Sequence, residues 1–129
     1  MAKVTANNGK ENYLIEIQSP TANIVMADEP IGKGGQDKGF SPKELLAAAL
    51  AACTNATVRM YCTRKAWDLN NVHVQIELIE EEGKTIFNRR LQFEGNLDET
   101  QRHRLFIVAN ACPIHKILTN TIAVDTALI

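Results

Sequence analysis

The stretch that most constrains this chain is residues 41–66, whose first half reads LLAAALAAC from Leu45 to Cys53. Ser41 is a capping residue, Pro42 suits the first helical position, and Glu44 stands three residues after the cap, as in a capping box. A helix from there to about Ala66 would be roughly 38 Å long at 1.5 Å per residue. Its first half has hardly a polar atom, so the pattern predicts a central helix covered on nearly all sides. The alanines also let other backbones approach closely. A chain of 129 residues has room for one core and supplies little cover for such an element. A homodimer that shares the helix as part of its core is the simplest physical answer.

The remaining segments read as short strands and two further helices. Residues 13–17 and 23–27 have strand character, and 6–12, with Asn8-Gly9, read as a hairpin turn from Val4-Thr5. Residues 28–40 hold four of the seven glycines and form an irregular loop. Val72, Val74, Ile76 and Leu78 alternate across a strand at 72–80, whereas 85–94 alternates less cleanly. Residues 81–84 make the turn between them. A second helix starts at Leu97-Asp98 and runs to about Asn110. Cys112-Pro113 interrupts it, because a residue before proline is pushed away from helical geometry. A short helix over 113–119 and a strand over 122–127 complete one α+β domain spanning 1–129.

Charge excludes several partners. Fourteen Lys+Arg against fifteen Asp+Glu give a net charge of −1, with no concentrated positive surface for nucleic acid or an anionic membrane. No uninterrupted apolar run reaches roughly 18 residues, so no membrane span is expected. The first residues lack the apolar core of a secretory signal, which points to the cytoplasm. Three cysteines, an odd number, then argue against a disulfide framework.

Which cysteine reacts is the central question. Cys53 lies among alanines, where a small buried hydrophobe is the bland reading. Cys62, nine residues on, is turned by 180° and faces the opposite side of the helix. Cys112 caps the short helix, where free N–H groups favour a thiolate, so on residues alone it is the first place to look. A capping residue without chemistry is its bland alternative. His115 could share the face of Cys112, but Cys-x-x-His is half a zinc site, and neither His73 nor His103 stands beside a second half. Gly32, Gly34, Gly35 and Gly39 match no phosphate loop or dinucleotide fingerprint and read as a flexible lid or crossing.

Two segments resemble one family. GGQDKGFSPKELLAAALAACTNATVRMYCTRKAW, residues 34–67, looks like the signature helix of the OsmC/Ohr family (osmotically inducible and organic hydroperoxide resistance proteins). LQFEGNLDETQRHRLFIVANACPIHKIL, residues 91–118, resembles the family's closing segment with its Cys-Pro pair. The resemblance implies an intertwined α+β homodimer, two long helices embraced by antiparallel sheets from both subunits. It also implies a thiol peroxidase for organic hydroperoxides, restored by an external thiol or dithiol and needing no cofactor or metal. In that scheme Cys53 attacks the peroxide and Cys112 resolves the sulfenic acid as a disulfide, whereas the residues alone favour Cys112 as the reactive thiol. Characterised members hold the thiolate with an N-terminal arginine and a helix glutamate. Here no arginine precedes Arg59, Lys43 stands where the glutamate belongs, and Glu44 is the nearest carboxylate. Arg64 shares the face of Cys53 about three turns along, and Lys33 and Lys38 are candidates by sign of charge. The other class of function open to the sequence is a binding or redox-sensing protein with little or no turnover.

Overall fold

Short runs broken by turn formers, of which Ile15–Gln18 alternates apolar and polar, build a three-stranded antiparallel sheet of β1 (Thr5–Asn8), β2 (Ile15–Gln18) and β3 (Ile24–Ala27) in the order β1-β2-β3. In the computed structural model, which describes residues 2–129, the chain divides into two compact units, the first ending at Leu46 and the second comprising Ala47–Ile129. In the first unit Asn8 is not a turn residue but the last of β1, paired with Ile15. The connection is longer than Asn-Gly alone would make it, because the Asn8 amide donates to the carbonyls of Asn12 (3.2 Å) and Leu14 (2.7 Å). That side chain closes the loop that the backbone leaves open.

The glycine-rich segment is an ordered crossing. Buried Asp28 accepts from the N–H groups of Glu29 (2.8 Å), Gln36 (3.2 Å) and Lys38 (3.1 Å). Burial alone would raise its pKa; those N–H groups and the Lys38 charge outweigh it and hold the carboxyl below its ordinary value. A 3₁₀ turn, Ile31–Lys33, ends on Gly34 at φ 89°, a left-handed conformation that suits glycine. A Cβ at Gly35 would collide with the Glu29 carbonyl, so the close approach needs glycine there. Phe40 then bridges to Ala27, aligning the entry to the long helix.

That helix, α1 (Pro42–Lys65), begins as expected: the Glu44 carboxylate accepts from Ser41 N–H (2.8 Å) and Ser41 Oγ from Glu44 N–H (3.2 Å). One chain supplies little cover for it. Within one chain only the stripe Leu50, Thr54, Val58 and Cys62 is fully buried, four residues at i, i+4 spacing. The other faces are left open, with Leu46 50% and Met60 64% exposed. Contrary to the run-length expectation, α1 is long and apolar enough, by length and composition, to cross a membrane. Its polar groups are nonetheless committed to the fold: Asn55 donates to the Val72 carbonyl (2.8 Å) and the Arg59 guanidinium to the Leu69 carbonyl.

The second unit adds a two-stranded antiparallel hairpin, β4 (Asn71–Glu81) and β5 (Lys84–Glu94), followed by α2 (Glu99–Ala109) and α3 (Pro113–Leu118). Asp98 and Gln101 form a reciprocal capping box that starts α2. The core gathers Val58, Cys62, Leu69, Val72, Leu97, Leu105 and Ala109. Residues 122–127 are not a strand: they pair with no neighbour among the described residues, and Ile122 and Val124 are exposed. The alternation is present, but a strand needs a ladder partner for its N–H and C=O groups.

Candidate active site

The two cysteines that the sequence singles out meet at the start of α3. Cys112 is the N-cap of that helix, with Pro113 fixing its first position, and its Sγ accepts from His115 N–H (3.3 Å). Cys53, on α1, accepts at Sγ from Ile114 N–H (3.5 Å). Cys53 and Cys112 are both free thiols, and their sulfurs take the N–H groups of the successive residues Ile114 and His115. The start of the short helix leaves the N–H groups of Ile114 and His115 without intrahelical partners, and the two sulfurs take them.

The two thiols differ in exposure. Cys53 is half-buried, whereas Cys112 is 0% exposed. Burial alone would push the Cys112 thiol up. It is outweighed by the His115 N–H, hydrogen bonds from Cys53 and Thr54, and the Arg89 charge, which hold the thiol below its ordinary value. The cap expectation for Cys112 therefore holds, with more donors around it than the sequence announced. Cys62 stays apart, in the apolar core, where burial pushes its thiol up against the opposing Arg59 charge. Glu44 lies in the first unit, at the opening turn of α1, where Ser41 holds its carboxyl below the ordinary value. Lys38 stands 3.9 Å from Glu11, in an exposed ion pair.

Sequence reasoning missed Arg89. This guanidinium donates to Thr54 Oγ1 (2.9 Å), Asn110 Oδ1 (2.8 Å) and His115 Nδ1 (2.8 Å). Thr54 is itself fully buried, and its Oγ1 lies 3.9 Å from Cys112 Sγ. The signal was available in β5: Phe87, Leu91 and Phe93 pair with Leu78, Val74 and Val72, and Arg89 occupies the same inward register opposite Ile76. A charge where the period calls for an apolar residue is what made that strand alternate poorly.

Arg89 and His115 also form part of the wall of a cavity of about 540 Å³, whose other lining residues include Leu50, Phe87, Leu91, Phe106 and Leu118. Its walls are mixed, since Lys84, Thr85, Asn110 and Thr119 line it as well. The groups present can hold a thiolate, pass a proton between two sulfurs and close a disulfide.

The OsmC-like protein family pattern matches residues 35–127, which takes in both cysteines, Thr54, Arg89 and His115. No curated protein sequence matches the chain. Among solved structures, an OsmC-like protein from Mycoplasma pneumoniae is 21% identical with a TM-score of 0.75, over 92% of this chain and 86% of that one. The organic hydroperoxide resistance protein OhrB of Bacillus subtilis is 24% identical with a TM-score of 0.63, over 92% and 90%. An organic hydroperoxide resistance protein from Legionella pneumophila is 18% identical with a TM-score of 0.66, over 92% and 89%. At these identities the likeness is one of fold, and it covers nearly the whole length of this chain. With the pattern covering most of the sequence, the chain belongs to the OsmC-like protein family.

Proposed function

We propose that this protein is a cysteine-based thiol peroxidase that reduces organic hydroperoxides and works as a homodimer. The observation that carries the reading is that two free thiols, Cys53 and Cys112, take the successive N–H groups of Ile114 and His115, the first half-buried and the second held below its ordinary pKa. The family relationship, and the shared fold of proteins called organic hydroperoxide resistance proteins, support it.

The chemistry closes without a cofactor. Cys112, as thiolate, takes the proton of Cys53, whose sulfur then attacks the distal oxygen of the hydroperoxide. The O–O bond breaks, Cys53 becomes a sulfenic acid, and the departing alkoxide takes the proton from Cys112 to leave as an alcohol. Cys112, again a thiolate, attacks the Cys53 sulfur and expels hydroxide, closing a disulfide; an external thiol or dithiol restores the pair. Exposure supports this division of roles, since Cys112 is fully buried and Cys53 is the more open sulfur. In this reading Glu44 holds the start of α1, and a catalytic contact from it is not needed.

Steady-state hydroperoxide consumption with a dithiol reductant tests the reading. Turnover with an organic hydroperoxide is expected. If none is seen, the protein is a binding member of the family where both thiols survive an equivalent of hydroperoxide, and a redox-sensing one where they are oxidised without turnover.

The open face of α1 is the ground for the dimer: Leu46, Ala49, Ala52, Ala56 and Met60 lie uncovered in one chain, and a second copy of the same helix would cover them. Ala49→Glu should leave an unpaired charge in that interface, costing several kcal/mol. Analytical ultracentrifugation should then show loss of the dimer; an unchanged dimer of normal stability would refute the shared helix.

A further inference from the structure

We propose, on the dithiol reading above, that Arg89 is a positioning residue: braced between Thr54 and His115, it aims their donors at Cys112 and balances its charge, so that reduced Cys112 rests as the thiolate.

A guanidinium on the inward register of a strand is costly to hold unless its N–H groups are bonded. Arg89 bonds three acceptors, and all three, a hydroxyl, an amide and an imidazole, are neutral. The hydrogen bonds are satisfied while the positive charge is not neutralised by them. Cys112, close enough for Arg89 to favour its charged form, is the group that can supply the missing negative charge.

Each bond also shapes a donor. Arginine only donates, so Thr54 Oγ1 is the acceptor of the Arg89 bond and its O–H is polarised for donation. That proton now goes to the Leu50 carbonyl at 2.7 Å, and rotation about the C–O bond turns it toward Cys112 Sγ at 3.9 Å. By the same rule His115 Nδ1 must accept, which places the proton of the neutral ring on Nε2. His115 is in turn the residue whose backbone N–H donates to Cys112. Arg89 thus holds both donors on either side of one sulfur, from a strand rather than from the helix that carries Cys53.

The test is a thiolate titration of the reduced full-length protein, followed by ultraviolet absorbance, with Cys112→Ser used to assign the Cys112 transition. Arg89→Ala should raise that transition by about one pH unit or more, and Arg89→Lys, which keeps the charge without the planar fork, should restore part of it. Thr54→Val should raise it less, because the Arg89 charge remains. Circular dichroism checks the fold, and if Arg89→Ala does not fold, Arg89→Gln gives the same reading. A Cys112 transition unmoved in a folded Arg89→Ala or Arg89→Gln variant would overturn the role, as would the loss of the shift in Arg89→Lys being as large as in Arg89→Ala. The titration is independent of turnover: a peroxidase failure with an intact titration result refutes the enzyme reading alone.

Discussion

Cys62 and Cys112 sit in two regions of the same unit, are 1% and 0% exposed, and are shifted in opposite directions. Around Cys62 the neighbours are Val58, Leu69, Val72, Leu97, Leu105 and Ala109, and burial keeps it a thiol. Around Cys112 burial acts with the same sign but is overruled by His115 N–H, Cys53, Thr54 and Arg89. Burial alone therefore says nothing about whether a cysteine is chemical. What decides is whether the buried sulfur finds donors and a positive charge, and whether a second thiol stands beside it.

The widest separation between the two regions should be in peroxide chemistry. Cys112→Ser should abolish multiple turnover, and Cys53→Ser should abolish even the first attack, because serine is a far poorer nucleophile at neutral pH. Cys62→Ser should turn over as the unaltered protein does. Intact-mass spectrometry after one equivalent of hydroperoxide supplies the readout: loss of two hydrogens in the unaltered protein and in Cys62→Ser, and added oxygen in Cys112→Ser. If Cys53→Ser gains oxygen while Cys112→Ser stays unoxidised, the two roles are reversed.

Stability should separate the regions next. Leu105 is fully buried in the core that surrounds Cys62. Leu105→Ala removes most of that side chain and should cost about 2–5 kcal/mol in urea unfolding. The Cys112 titration should stay in place in the folded variant, since Leu105 supplies none of its donors. A cost below about 1 kcal/mol would mean that this core closes around the gap.

How far the sequence discloses these regions depends on how local the signal is. Ser41, Pro42 and Glu44 fix the start of α1, and Cys112-Pro113 fixes the cap of α3, because each acts within a turn of itself. The pairing of Cys53 with Cys112 came from resemblance, since no spacing rule joins residues that far apart. Arg89 was readable as an anomaly in β5, but its partners, Thr54, Asn110 and His115, come from three other elements and no periodicity brings them together. The strand expected at 122–127 does not form in the described chain. Apolar pattern says that a face needs a partner, and it does not say whether the same chain provides it.

The smallest contrast expected is in the pH dependence of stability, where the two thiols should act with opposite slopes. Cys112 has a folded pKa below that of an unfolded thiol, whose ordinary value is 9.0. Between the two values the unfolded chain binds more protons, so stability rises with pH, and this contribution is lost as pH falls through the folded value. Cys62 has a folded pKa above 9.0. There the folded chain keeps its proton longer, so stability declines as pH rises past the ordinary value. Urea unfolding of the reduced protein should thus show the unaltered chain gaining on Cys112→Ser as pH rises toward 9.0, and losing to Cys62→Ser above it. Parallel curves for the unaltered chain and Cys112→Ser would mean that the donors around Cys112 do no more than offset its burial.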